Sequence, residues 1–292
     1  MNVLVAGATG FVGRHLVPAL VAAGHDAVAL VRDASTYDPP EGVEVVEADL
    51  LDRESLAGAF AGVDAACYLV HSMGADGDFA ERDRLAARNF VAATGDADVE
   101  RVVYLSGLGG RRPTLSKHLL SRREVEYVLG TGAYDLTVLR AAIVVGTDST
   151  SFRIVRQLAA RLPLMITPRW VHTECQPIAI DDVVAYLVGV LDAPETAGDT
   201  YEIGGPDVLT YGEMVLHTAD VLGRRAWMVP VPVLTPRLSA YWVGLVTDVP
   251  SDVAHPLILG LKTRTVVEDD RIRSLVPVEL TPFDDAVRQA VA

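Results

Sequence analysis

The chain has 292 residues, half of them hydrophobic, which suffices for one large α/β unit or for a cofactor domain with a smaller partner domain. Its formal net charge of −14 disfavours nucleic acid and anionic lipid as partners, because like charges repel. Only two of the 25 basic residues are lysines, and this composition, typical of salt-loving organisms, favours a halophilic archaeon as the source.

The first half of the chain alternates short apolar runs with longer helical patterns. We predict strands at residues 2–7, 27–31, 43–47, 65–70, 101–105 and 136–145. We predict helices at residues 12–23, 53–61, 78–94 and 117–129. Strands that alternate with helices pair in parallel, and uniformly apolar strands fit a sheet covered on both faces. The predicted fold is α/β, a doubly wound parallel Rossmann sheet with a smaller C-terminal α+β substrate domain.

The rhythm of the chain changes after residue 147. We expect the dinucleotide-binding domain to span residues 1–147 and a smaller substrate or interaction region to span residues 148–292. The later helices are predicted at 151–161, 180–191, 210–222 and 283–291. A strand near residues 200–204 is expected to return to the sheet.

Cysteine content and hydropathy predict a cytoplasmic protein without a membrane span. Cys67 and Cys175 are too few for a disulfide framework or a zinc cage, so no metal site is expected. No basic segment precedes the first apolar run, so we expect no signal peptide. The most apolar late stretch, 227–246, contains three prolines and an arginine, whereas a membrane span needs about 20 nearly uncharged residues.

Three glycines stand between the first strand and the first helix. Gly7, Gly10 and Gly13 would make a tight turn, let the backbone approach a pyrophosphate and let the helix pack on the strand. The helix N-terminus would then face the anion with free N–H groups. A tight turn without a ligand is the alternative. The residues expected to hold the cofactor here are Gly7, Thr9, Gly10, Phe11, Val12 and Gly13.

The end of the second strand decides between NAD and NADP. An NAD site places a carboxylate there to bind the ribose hydroxyl, but this chain has Val31 followed by Arg32. A guanidinium can pair with a 2′-phosphate, so we predict NADP and leave NAD open because Asp33 comes next. Asp49 and Leu50 are placed to meet the adenine, although Asp49 could equally cap a helix.

Several motifs resemble those of the atypical short-chain dehydrogenase/reductase superfamily. They are GATGFVG (7–13), EADLLD (47–52), VVYLSGL (102–108), LRAAIVVG (139–146) and QPIAIDDVVAYL (176–187). The chain is similar to the NmrA-like and epimerase-like branch, which also contains the NAD(P)H-binding accessory subunit of respiratory complex I. The resemblance implies NADP or NAD as cofactor and a carbonyl or sugar-nucleotide-like substrate.

The resemblance also implies a catalytic Ser after the fifth strand and a Tyr-x-x-x-Lys pair on the next helix. Ser106 matches the Ser, which orients the substrate oxygen. Lys117 can match the Lys, which holds the nicotinamide ribose or acts as a base, although a solvated helix start is the alternative. Pro113 stands where the Tyr should be, so the usual proton donor is missing.

The loop after the fourth strand supplies another candidate proton donor. Ligands of parallel sheets bind at this edge, so Val70 and Ser72 are expected to meet the cofactor. His71 between them could relay a proton near neutral pH, or could simply hydrogen-bond a loop. His118, next to Lys117, is a less favoured candidate.

Two functions from different classes remain open. The first is an NADP-preferring oxidoreductase or epimerase-like enzyme with an unidentified substrate. The second is a non-catalytic dinucleotide-binding redox sensor or accessory subunit of a larger complex, which the missing Tyr favours. A homodimer is also left open.

The resemblance to the family's second domain implies a substrate pocket lined by Arg140, Trp170, His172 and Gln176. The alternative for Arg140 is an ion pair with an acid such as Glu124.

Overall fold

A computed structural model describes residues 1–72, 79–109, 115–167, 169–230, 247–249 and 260–292. In chain order its strands are β1 (Asn2–Ala6), β2 (Asp26–Val31), β3 (Glu44–Glu47), β4 (Ala65–Tyr68), β5 (Arg101–Gly107), β6 (Asp135–Ala141), β7 (Val144–Val145), β8 (Leu164–Thr167), β9 (Glu174–Cys175), β10 (Ile178–Ala179), β11 (Thr200–Ile203), β12 (Leu209–Thr210) and β13 (Trp227–Pro230). The helices are α1 (Phe11–Ala22), α2 (Phe79–Gly95), α3 (Lys117–Leu129), α4 (Thr150–Arg161), α5 (Ile180–Asp192), α6 (Tyr211–Val221), α7 (Ile272–Leu275) and α8 (Phe283–Val291).

The central sheet has seven parallel strands in the order β11-β6-β5-β4-β1-β2-β3. Successive side chains of a strand point to opposite faces, so β1 supplies both layers of core. Val3 and Val5 pack with α1 and α5, whereas Leu4 and Ala6 pack with α2 and α3. This confirms the predicted doubly wound Rossmann fold. The chain order of the strands reverses at β1, and α/β proteins bind ligands beside such a point.

A second core lies in the last part of the chain. Phe152 of α4, Met214 of α6 and Phe283 of α8 are buried in it. Thr210 begins α6 with a capping box, in which its hydroxyl accepts from Glu213 N and the Glu213 carboxylate accepts from Thr210 N. Among the described residues, the short strands outside the central sheet form three pairs, β10 with β7, β12 with β9 and β13 with β8, whereas β11 returns to the central sheet. None of the described helices is long and apolar enough to cross a bilayer.

Two predicted elements are wrong in extent. Residues 53–61 do not form the predicted helix, because only a short 3-10 helix, Glu54–Leu56, is present before Gly58 turns the chain at φ +77°. The hydroxyl of Ser55 also bonds to nearby backbone carbonyls, which competes with a regular helix. The predicted strand 136–145 stops at Ala141, and Val144–Val145 then pairs with β10 outside the main sheet.

Replacing Phe90 by Ala tests the layer of core beneath α2. The ring is fully buried and meets Phe60 and Tyr68 edge to face. We expect Phe90→Ala to lower the free energy of unfolding by about 3–5 kcal/mol, through lost burial and a new cavity. Urea unfolding followed by circular dichroism measures this change. Leu85→Ala on the same helix is the control, because that side chain is 45% exposed; an equal loss in both variants would contradict the layer assignment.

Candidate functional site

The glycine loop places α1 directly against the end of β1. Gly7 has φ +94°, which side chains disfavour, and a Cβ on Gly13 would lie 2.2 Å from the Gly7 carbonyl oxygen. Gly10 caps α1 without a side-chain hydrogen bond, and the first helical bond runs from Arg14 N–H to the Gly10 carbonyl. The N–H groups of residues 11–13 therefore come before that bond and are available to an external anion.

The segment after β4 lies directly on this loop. A Cβ on Gly7 would be 3.2 Å from the carbonyl carbon and oxygen of Leu69, so the peptide that leads to Val70 packs on the turn. Thr9 and Gly10 are exposed, whereas Phe11 and Val12 are half-buried. The Phe11 ring packs on Gly146, where an added Cβ would lie 2.7 Å from the ring. The loop, the β4 segment and Gly146 thus form one side of the candidate cofactor site.

The segments after β2 and β3 carry the cofactor candidates Arg32 and Asp49, and Asp33 follows Arg32. Asp33 Oδ1 accepts hydrogen bonds from Ser35 N at 2.9 Å and from Ser35 Oγ at 2.6 Å. Arg32 is exposed, and its side chain has no ion pair within the described ranges. Asp49 Oδ1 accepts from Leu51 N at 2.9 Å, so this carboxylate caps a tight turn and the alternative of a helix cap is wrong.

Leu50, the other residue expected at the adenine, is buried, and its carbonyl accepts from Asn89 Nδ2 at 2.8 Å. Two of the pocket candidates differ in burial. Gln176 is buried and bonds to the Gly205 carbonyl and to Val267 N, whereas His172 is exposed. Pro113 and the side chain of Trp170 lie outside the described residues.

Ser106 is hydrogen-bonded to Glu126 of α3, which also forms ion pairs with two arginines. Its hydroxyl is nearly buried and lies 3.4 Å from Glu126 Oε2, which also pairs with Arg123 at 3.0 Å. Arg140, opposite Ser106 on the neighbouring strand, forms an ion pair with the same carboxylate. The alternative of an ion pair between Arg140 and an acid is thus confirmed, but the acid is Glu126, since Glu124 pairs with Arg84.

Lys117 is the first residue of α3 and is exposed, and its ammonium forms no ion pair with any residue that the structure describes. Its contact with a cofactor ribose therefore stays a prediction.

The most tightly connected polar cluster joins β4, α2 and α3. Asp83 of α2 is only 1% exposed, and its Oδ2 lies 2.7 Å from His71 Nδ1. His71 Nε2 in turn lies 3.1 Å from His118 Nδ1. Asp83 also accepts from Ser72 N at 2.8 Å and from Ser121 Oγ at 3.1 Å. The structure thus brings His71, Ser72 and His118 together around a buried carboxylate.

Burial and a neighbouring cation keep both imidazoles neutral. Burial and the Arg122 guanidinium lower the pKa of His71 to about 4, against the opposing effect of Asp83. The same two causes, together with His71, lower the pKa of His118 to about 3. Burial alone would raise the pKa of Asp83, but the hydrogen bonds from His71 and Ser72 outweigh it and lower that pKa. At neutral pH the cluster is an ionised carboxylate with two uncharged rings.

Sequence reasoning missed Asp83 and Arg122 at this site. Arg122 lies four residues after His118 on α3, and its guanidinium donates to the Leu105 carbonyl at 3.3 Å. Residues four apart lie on the same side of a helix. His-x-x-x-Arg therefore has the spacing that the resemblance assigns to Tyr-x-x-x-Lys, and this spacing was the available signal. A carboxylate such as Asp83, in a helix with several other charges, carries no comparable signal.

Comparison with known proteins decides the family. Residues 7–168 match the NAD(P)H-binding family. The chain belongs to this family. Ceramide reductase of Caulobacter vibrioides is 28% identical, over 94% of this chain and 87% of its own. The mitochondrial NADH dehydrogenase (ubiquinone) 1 alpha subcomplex subunit 9 of Arabidopsis thaliana is 25% identical, over 96% of this chain and 75% of its own.

The fold is shared with solved structures as well. Triphenylmethane reductase of Citrobacter sp., solved in complex with NADP(H), has a TM-score of 0.78 and 22% identity, and the match covers 99% of this chain and 100% of that one. A nucleoside-diphosphate-sugar epimerase from Staphylococcus aureus has a TM-score of 0.79 at 17% identity, covering 99% and 100% of the two chains. The reductase-like and epimerase-like parts of the predicted resemblance are thereby confirmed at the level of fold.

Gly13→Ala tests the glycine loop. The added Cβ would overlap the Gly7 carbonyl oxygen, so the turn must shift. Overpacking of this kind costs about 1–3 kcal/mol, so we expect NADPH affinity to fall about 10- to 100-fold. Gly95→Ala is the control, because its Cβ would meet no atom within 4 Å. Fluorescence titration with NADPH measures both, and unchanged binding by Gly13→Ala would contradict the cofactor site.

The neutral histidine pair makes stability dependent on pH. An unfolded histidine binds a proton near its ordinary pKa of 6.5, but His71 does so in the folded protein only at about 4. Between these values the unfolded chain binds more protons, so stability rises with pH. We expect the urea midpoint to fall as the pH is lowered from 6.5 towards 4, with a shallower slope in a His71→Gln, His118→Gln double variant. His217→Gln on α6 is the control, and a flat wild-type profile would refute the prediction.

Proposed function

We propose that this protein is an NADP-preferring oxidoreductase that acts on a carbonyl or sugar-nucleotide-like substrate. The observation that carries the cofactor preference is the contrast between the two residues after β2. Arg32 is exposed and has no ion pair among the described residues, so it can meet a 2′-phosphate, whereas Oδ1 of Asp33 already accepts from both N and Oγ of Ser35. An NAD site would need a free carboxylate there to accept from the ribose hydroxyl.

The residues present fit a bound dinucleotide. Gly13 lets the start of α1 pack directly on the backbone of Gly7 and Ala8, and the N–H groups of residues 11–13 would hold the pyrophosphate. The cofactor supplies hydride transfer when it is bound, and the protein supplies orientation and a proton route. His71 stands at the sheet edge where such a route is needed, held by Asp83 and by the peptide that packs on Gly7. Lys117 and Ser106 would contact the nicotinamide ribose and the substrate oxygen.

Relatives support an enzymatic role. Ceramide reductase is a full-length relative, and the Citrobacter triphenylmethane reductase binds NADP(H) on the same fold. We therefore place a reductase above an epimerase. The acidic, lysine-poor composition leads us to propose a halophilic source, so assays belong in molar salt. The two cysteines, too few for a disulfide framework, lead us to propose a cytoplasmic location.

The second candidate is a non-catalytic NAD(P)H-binding accessory subunit. The Arabidopsis relative is a subunit of an NADH dehydrogenase, and it aligns with 96% of this chain. The ties between Ser106 and Glu126 and the exposed position of Lys117 also favour this candidate, since neither side chain is held in a catalytic pair. An accessory subunit would bind NADPH without turning over any carbonyl compound, which separates the two candidates.

Arg32→Ala tests the proposed cofactor preference. A hydrogen bond to a charged group is worth about 1.5–3 kcal/mol, so we expect the Kd for NADPH to rise about 10- to 100-fold. The Kd for NADH should change little, because NADH carries no 2′-phosphate. Calorimetric titration with both nucleotides in high salt measures the difference.

Arg288→Ala on α8 is the matched control for removal of an exposed arginine. It should leave both affinities unchanged. Tighter binding of NADH than of NADPH by the wild-type protein would overturn the NADP assignment, and absence of binding by either nucleotide would overturn the proposed function itself.

A further inference from the structure

With both rings neutral, the hydrogen bonds around Asp83 have one consistent direction. An ionised carboxylate can only accept, so His71 donates to Asp83 from Nδ1. A neutral His71 then has a bare Nε2, which accepts, and His118 must donate to it from Nδ1. The remaining nitrogen, Nε2 of His118, carries a lone pair and has no hydrogen-bond partner within the described ranges. The chain of bonds therefore ends in a base.

His118 lies at the edge of the sheet where a substrate would bind. His71 follows β4 by three residues, and the peptide before Val70 packs on Gly7 of the cofactor loop. His118 belongs to the first turn of α3 and is half-buried, whereas Asp83 is fully buried beneath it. His71 is half-buried as well, but both of its ring nitrogens are hydrogen-bonded, so Nε2 of His118 is the ring nitrogen left for a ligand at this edge.

We propose that His118 exchanges the proton with the substrate oxygen, and that His71 and Asp83 are positioning residues that hold it and share the charge. The proposal rests on the proposed function, and it transfers the proton-donor role from His71 to His118. It also accounts for the missing Tyr, because His118 and Arg122 have the same four-residue spacing on α3.

The step balances in both directions. In oxidation of a secondary alcohol, the O–H bond breaks and its proton binds Nε2 of His118. A bound oxidised nicotinamide would be the acceptor for the C–H hydrogen and its electron pair. The Nδ1 proton of His118 passes to Nε2 of His71, so the positive charge lies on His71 beside Asp83. Reduction of a ketone takes the reverse course and begins with uptake of one proton from solvent by the neutral pair, because the resting His118 carries no hydrogen on Nε2. The alkoxide oxygen then receives that proton from Nε2 of His118.

The charges around the pair explain why Asp83 is needed. Burial and Arg122 of α3 oppose a positive charge on either ring, and Asp83 of α2 is the charged group that favours it on His71. The ring of Phe79 on α2 also contacts His71, nearly perpendicular to the imidazole, and it supplies no charge. A proton taken up at His118 is therefore best held one ring further in, next to the carboxylate.

Nitrogen-15 NMR of histidine-labelled protein tests the direction of the bonds without any substrate. We expect His71 and His118 at pH 7 to be neutral and protonated at Nδ1, and we expect added NADP⁺ to shift the His118 Nε2 resonance. His217, which pairs with Asp284 on the surface, serves as an internal reference. A His118 ring that is protonated at Nε2, or charged at pH 7, would overturn the proposed relay.

Turnover of a panel of ketones and quinones with NADPH tests the role itself. General acid–base groups contribute about 10²- to 10⁴-fold, so we expect His118→Gln to lower kcat at least about 100-fold with unchanged NADPH affinity. Glutamine keeps an N–H for His71, which protects the fold. Asp83→Asn should lower kcat and move the pH profile, and His217→Gln should change neither.

The outcomes separate the relay from the proposed function. An active wild type with an equally active His118→Gln variant would overturn the relay alone. A wild type that binds NADPH but turns over no compound of the panel would contradict the oxidoreductase, and with it the catalytic use of His118, in favour of the accessory subunit.

Discussion

One close contact sets the geometry of the site: the N-terminus of α1 meets the end of β1 with no room for a side chain. A Cβ on Gly13 would lie 2.2 Å from the Gly7 carbonyl oxygen, and the positive φ of Gly7 turns the chain within a few residues. Because the turn is this tight, free N–H groups point out beside the place where the strand order reverses. The segment after β4 then packs on Gly7, which brings His71 to the same edge.

The buried carboxylate of Asp83 is the second constraint, because burial of a charge destabilises the folded protein unless the charge is fully hydrogen-bonded. It accepts from His71, Ser72 and Ser121, and these three bonds tie the β4 loop, α2 and α3 together. A carboxylate with such partners stays ionised, and it fixes which nitrogen of each ring carries a hydrogen. The need of the buried Asp83 carboxylate for hydrogen-bond donors thus determines the chemistry that His118, at the outer end of the chain of bonds, can perform.

The sequence predicted the parts of the fold that depend on local pattern. Apolar runs and helical spacing placed α3 at 117–129 and the strand at 200–203 as the structure has them. The helix expected at 53–61 failed because Gly58 and Ser55 favour turns there, and β6 ended early because its neighbours in the sheet end at Gly107 and Ile203. The Asp83–His71–His118 chain could not be predicted, since its members are 12 and 47 residues apart and only packing of α2 on α3 brings them together.

A crystal structure of the protein with NADP⁺ tests the central claim most directly, because it locates both ends of the cofactor at once. The account predicts the pyrophosphate on the N–H groups of residues 11–13, the 2′-phosphate against the Arg32 guanidinium, and the nicotinamide on the side of the sheet edge that carries His118. A 2′-phosphate turned away from Arg32, or a nicotinamide ring remote from His118, would contradict it.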